Sequence, residues 1–159
     1  MRKSLTLIAA ALVAAAISAG AALASTHSFT AKYSGRVTEK VVDQSVTATV
    51  AGKGTGLIVK ASTLRGTVRG SQANACSPLS GPGQIKSKAG TIKLTIVSSK
   101  SRGCAAGEDD KNHINVSGKV KVLGGTGKFK GAKGLLTMKG TYNRSSGLFS
   151  VKFSGSLKY

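Results

Sequence analysis

The chain reads as an all-β protein whose strands curl into an antiparallel barrel, and three observations carry that reading. Apolar residues recur at every second position in several short runs, as half-buried strands require. Glycine-rich clusters separate the runs at spacings that suit hairpin turns. Glycine also recurs inside the runs, at Gly118, Gly140 and Gly155. A small barrel needs its strands to bend sharply, and a residue without a Cβ lets them, which favours a barrel over a sandwich.

The first 24 residues stand apart from this pattern. Arg2 and Lys3 precede an apolar, alanine-rich run from Leu5 to Ala19, and Ala22-Leu23-Ala24 forms a small-x-small site before Ser25. That is the order of parts in a secretory signal peptide cleaved after Ala24. The predicted organisation is therefore a leader over 1–24 and a single domain over 25–159, exported to the extracellular space. No cysteine follows the cleavage site to take a lipid anchor, and no later stretch is apolar enough to span a bilayer as a helix.

From Ser25 onward the chain alternates. In SFTAKYSGRVT, residues 28–38, Phe29, Ala31, Tyr33, Gly35 and Val37 fall on one side. In GTIKLTIV, Ile92, Leu94 and Ile96 oppose Lys93 and Thr95. In HINVSGKVKVL, Val116, Gly118, Val120 and Val122 oppose Lys119 and Lys121. In GLFSVKFSGSLKY, Phe149, Val151, Phe153, Gly155 and Leu157 oppose Ser150, Lys152 and Ser154. These runs predict strands near 27–38, 44–52, 55–61, 63–71, 83–88, 91–98, 114–123, 134–142 and 148–158, two of which merge to leave eight. NRSSG at 143–147 predicts a hairpin loop, and AGKGTG at 51–56 and LSGPG at 79–83 predict turns or bulges.

Lysines fall mostly on the polar faces, so the basicity belongs to the outside of the sheet. The whole chain carries a formal +19, and residues 25–159 carry 22 basic side chains against 5 acidic, or +17. Such a surface attracts anionic polymers or lipid head groups, and it also keeps an exported protein soluble. Nucleic acid is the least favoured partner. The few aromatic residues mostly alternate inward, which leaves no stacking platform.

Cys76 and Cys104 are the only cysteines. An even pair in an exported protein predicts one disulfide, set between loop-like neighbours. The chain has no C-x-x-C, and His27 and His113 stand far from both cysteines, so a zinc or redox site is not expected. Glu108, Asp109 and Asp110 are adjacent and lack the alternating spacing of a calcium loop. No metal and no cofactor is expected.

Catalytic residues are not expected either. His27 follows the cleavage site and reads as mobile. His113 reads as a solvent-exposed loop histidine, although Asp110 lies three residues before it and could form a dyad. Glu39 and Asp43, the only acids on early strands, read as surface or strand-end residues.

The stretch GGTGKFKGAKG, residues 124–134, looks superficially like a phosphate cradle. A P-loop needs Gly-Lys followed by Ser or Thr, which is absent, and a dinucleotide fingerprint needs its third glycine one residue earlier than Gly131. Because GLLTMKGTY then reads as a strand, the stretch is a bend, with Phe129 and Ala132 as buried pegs and Lys128, Lys130 and Lys133 in solvent.

VLGGTGKFKGAKGLLTMKGTY…GLFSVKFSGSL resembles the allene oxide cyclase and dirigent-like barrel superfamily. The motif positions are Gly124, Gly125, Thr126, Gly127, Phe129, Gly131, Ala132 and Gly134. Upstream, GKGTGLIVKASTLRGTVRG and the two cysteines look similar to small secreted bacterial proteins with this barrel. The resemblance implies an eight-stranded antiparallel barrel with a central cavity, and for some relatives a dimer or trimer. It does not imply one activity: plant dirigent members steer radical coupling without oxidising, whereas allene oxide cyclases close a ring in an oxidised fatty acid. The matched positions are structural and bring no catalytic residue with them.

Two functions follow as expectations. The first is a non-enzymatic secreted barrel that binds a small apolar or aromatic ligand inside, or an anionic surface polymer outside. The second is an isomerase or cyclase acting on a hydrophobic substrate. Tyr33, Tyr142 and Phe153 are the candidate cavity residues. Phe149, Phe153, Leu94 and Met138 are bulky enough together to fill the interior, which would leave the cyclase no room.

Overall fold

The computed structural model describes residues 25–72 and 75–159; the expected leader lies outside them. Ten strand segments follow in order: β1 (Thr26–Val42), β2 (Ser45–Gly56), β3 (Lys60–Ser71), β4 (Cys76–Pro78), β5 (Gly81–Ser87), β6 (Gly90–Ile96), β7 (Arg102–Ala105), β8 (His113–Gly125), β9 (Gly134–Asn143) and β10 (Leu148–Lys158). Among the described residues the only helical turns are short 3-10 turns at Ser98–Lys100 and Gly127–Phe129. None is long and apolar enough to cross a membrane.

The segments form an eight-strand closed antiparallel β-barrel. β1 pairs β2, β2 pairs β3, β3 pairs β5, β5 pairs β6, β6 pairs β8, β8 pairs β9, and β9 pairs β10, which returns to β1. Closure leaves few unpaired edges. The first and last described residues complete it, since Ser25 N–H donates to Tyr159 O at 3.0 Å and Tyr159 N–H donates to Ser25 O at 3.1 Å.

Two strand positions are interrupted. β4 continues into β5 and β6 into β7, so β4 and β7 pair with one another near the upper rim while β5 and β6 pair below. β8 is long enough to serve both levels, meeting β7 at Ile114–Ser117 and β6 at Val120–Gly125. The cysteines therefore sit in strands, not in loops as the sequence suggested. Cys76 stands directly opposite Cys104, and the disulfide joins them.

A second difference concerns AGKGTG. It forms no turn: β2 runs through it to Gly56, and the chain reverses at Leu57, Ile58 and Val59. These glycines make room. A Cβ at Gly52 would lie 2.7 Å from the ring of Phe149, and one at Gly54 would lie 2.6 Å from the ring of Tyr33. The apolar turn packs too, with Val59 only 2% exposed under the barrel.

The GGTGKFKGAKG bend has the expected form. Gly124, Gly127 and Gly131 adopt positive φ of 126°, 58° and 73°, which L residues rarely adopt. Phe129 and Ala132 are fully buried, while Lys128, Lys130 and Lys133 are exposed. Phe129 packs edge-on to Tyr159, at 5.4 Å between centroids, and Tyr159 stacks on His27 at 4.5 Å. His27 is thus a β1 residue held against the closed end, not the mobile residue expected.

Candidate ligand-binding cavity

Inward-facing side chains divide the barrel into two levels. At the closed end, Phe29, Ile85, Ile92, Phe129, Leu136 and Leu157 have no exposed surface and pack solid. Tyr33 belongs to this level, 1% exposed, with its hydroxyl 2.9 Å from Ser62 Oγ and its ring edge-on to Phe153 at 6.0 Å. Burial pushes the Tyr33 phenol above its ordinary value, partly offset by the Ser62 bond.

Above this plug the interior opens into a cavity of about 820 Å³. That is the size of a small-molecule site, typically ~300–1,000 Å³. Leu64, Leu94, Val120, Met138 and Phe153 line it and are nearly buried, forming its floor. Val37, Val46, Val50, Ile96, Val116 and Phe149 line it higher up. The bulky quartet Leu94, Met138, Phe149 and Phe153 therefore bounds the space without filling it. Gly52 explains part of the difference, since it lets the Phe149 ring lie back against β2.

The walls are apolar and the polar groups collect at the mouth. Tyr142, Glu39 and Arg144 all line the cavity. Glu39 faces inward near the upper end of β1, where the sequence had suggested a surface residue. Tyr142 lies close enough to the Glu39 carboxylate for that charge to act on its phenol. Burial, followed by the Glu39 charge and hydrogen bond, raises the Tyr142 phenol above its usual range, and Arg144 opposes this. Arg144 reaches the Lys111 carbonyl through Nη1 at 3.4 Å, while its Nε is buried with no hydrogen-bond partner. A buried donor without an acceptor is costly, and an acceptor arriving from inside the cavity would satisfy it.

Of the three candidates the sequence named, Tyr142 and Phe153 line the cavity, and Tyr33 lies in the plug beneath it. Glu39 and Arg144 were missed. Glu39 carries no local signal, because it meets Tyr142 only when the barrel closes, and Arg144, two residues after Tyr142, falls in the NRSSG stretch that reads as a hairpin loop.

The Asp110–His113 dyad does form, but outside. His113 Nδ1 lies 2.7 Å from Asp110 Oδ2, and both side chains are about half exposed. Asn143 Oδ1 accepts from Ser146 N–H at 3.0 Å, so its amide nitrogen faces His113 Nε2 at 2.8 Å. The ring then accepts from Asn143 and donates to Asp110. The His113 bond is the main reason the Asp110 carboxyl lies below its ordinary value. His113 is directly paired with Asn143 on the outer face, while their neighbours Ile114 and Tyr142 line the cavity, so the dyad does not address the interior. Among the described residues, no group of three or more His, Cys, Asp or Glu converges as a metal site would.

Comparison with protein-family models, with curated proteins and with solved structures returned no match.

Proposed function

We propose that this protein is a secreted, non-enzymatic barrel that holds a small apolar or aromatic ligand with one polar end. The observation that carries the reading is the open apolar cavity of about 820 Å³ over a solid floor. Aliphatic walls favour an apolar body through the area they remove from water. Tyr142, Glu39 and the unpartnered Arg144 Nε favour a polar group at the mouth. The resemblance to the dirigent-like barrels supports the same reading, as does the leader-like sequence over 1–24.

A second reading, an isomerase or cyclase of the allene oxide cyclase type, is favoured by the same mouth cluster. A carboxylate, a phenol of raised pKa and a guanidinium on one apolar wall are groups that can move a proton or steady a developing charge. Carriage ranks first because those groups sit at the mouth, beside solvent, and away from the floor where a substrate would be enclosed.

Native mass spectrometry of the protein purified from its own source tests the proposal. A small-molecule mass retained beside the polypeptide, and lost on denaturation, is expected. A polypeptide mass alone, from a preparation never exposed to detergent or organic solvent, contradicts it. The same spectrum gives the subunit count.

A further inference from the structure

Strand register places the basic side chains of the outer surface in an ordered array. Lys32 on β1 lies directly opposite Lys152 on β10, and Lys152 lies directly opposite Lys139 on β9. The row continues on both sides, through Ser117 on β8 to Arg102 on β7, and through Thr55 on β2. All six side chains are exposed. Neighbouring strands are ~4.8 Å apart, so three ammonium stems rise in line within about 10 Å.

The rows on either side contain hydroxyls, amide and more lysine. Ser34, Ser150 and Thr141 stand toward the mouth, and Thr30, Ser154 and Thr137 toward the closed end. No acidic residue lies on any of these rows. The five acids of the chain sit near the mouth, at the upper end of β1 and in the loop between β7 and β8. Among the described residues no lysine or arginine makes an ion pair, the one pair being His113 with Asp110. Like charges directly opposite on neighbouring strands destabilise a sheet. This fold keeps three in succession with nothing to neutralise them.

We propose that this Lys/Ser/Thr girdle over β7–β8–β9–β10–β1–β2 binds a linear phosphate polymer lying across the strands. The closely spaced ammonium groups match a chain of closely spaced negative charges. Serine and threonine hydroxyls between them add donors that a tetrahedral oxyanion can accept from several sides. A carboxylate polymer fits less well, because a planar carboxylate presents its two oxygens in one plane, whereas the row and its flanking hydroxyls offer donors from several sides. A bilayer fits less well too. The convex wall meets a plane along a line only, and the face carries no apolar anchor among these rows. Duplex DNA would find charge but no aromatic residue or inserted element to read it.

The test is binding of long-chain inorganic polyphosphate to the purified protein, measured beside K32Q/K139Q/K152Q. A control variant, K86Q/K88Q/K130Q, removes the same charge at the closed end. The girdle variant is expected to bind at least about tenfold more weakly, with a log K against log salt slope shallower by about three, and the control to change little. The free girdle variant is also expected to melt at higher temperature than the parent, because repulsion across the row is relieved. Equal losses in both variants would show net charge without a site and would overturn the proposal. So would tighter binding of polyglutamate, of phosphatidylglycerol vesicles or of duplex DNA than of polyphosphate at equal salt. Native-state melting of each variant reports folding independently of binding.

Discussion

Tyr142 on β9 and Glu39 on β1 meet at the mouth of the cavity, across the strand between them, where the carboxylate helps hold the phenol in its neutral form. Glu39→Gln removes the charge that helps hold Tyr142 neutral. The Tyr142 phenol should then titrate closer to the ordinary tyrosine range, read by ultraviolet absorbance against a Tyr142→Phe control. Its folded pKa is raised, so its contribution to stability is complete below the unfolded value of 10.0 and is lost as pH rises through the folded value. The alkaline loss of stability above the unfolded value is therefore expected to be smaller in Glu39→Gln than in the parent, because its folded and unfolded values lie closer together. Unchanged titration would remove the pair from the account.

Tyr33 tests the plug. Tyr33→Phe keeps the ring against Phe153 and leaves Ser62 Oγ with only its contact to the Lys60 carbonyl. A loss of about 1 kcal/mol in denaturant unfolding is expected. Ligand affinity should not change, because Tyr33 does not line the cavity. An affinity change without a stability change would mean the two levels are not separate.

The disulfide closes a sequence separation of 28 residues, and Cys76→Ser with Cys104→Ser should cost about 3–4 kcal/mol on the chain-entropy model. Ser77, Gly103 and Ala105, beside the bridge, line the cavity, so affinity should fall along with stability. Urea unfolding and ligand titration of the same double variant separate the effects. Full affinity in the reduced-equivalent protein would show that β4 and β7 are not needed as a wall.

Gly52 is expected to be a spacer. A methyl there meets the Phe149 ring and the Ser34 carbonyl, each at 2.7 Å. Gly52→Ala should destabilise by about 1–3 kcal/mol, the usual cost of overpacking. A Gly52→Ala, Phe149→Leu pair should recover part of that loss, and absence of coupling in the cycle would assign the cost to backbone alone.

The four matters above also mark what the sequence could and could not disclose. Period-two alternation placed Phe29, Leu94, Val120 and Phe153 inside, since a strand has only two faces. The bend at Gly124–Gly134 was readable because positive φ and two buried pegs leave a compositional trace. Gly52 and Gly54 were not readable as spacers, because a glycine that makes room for a ring looks the same as one that turns the chain. β4 and β7 are too short to show alternation. The cavity itself depends on where Phe149 and Phe153 lie relative to the opposite wall. The Glu39–Tyr142 pair spans most of the chain, so only barrel closure brings it together.

The most direct test of the central claim is binding of an uncharged apolar fluorophore, N-phenyl-1-naphthylamine, to the parent and to Ala48→Trp. Ala48 faces the cavity from β2, and an indole there occupies the space a ligand would use. Saturable binding by the parent, with loss of at least about 1.4 kcal/mol of affinity, or tenfold, in a variant that still melts cooperatively, is the predicted result. Equal binding by the parent and the folded Ala48→Trp variant would place the ligand elsewhere and contradict the account.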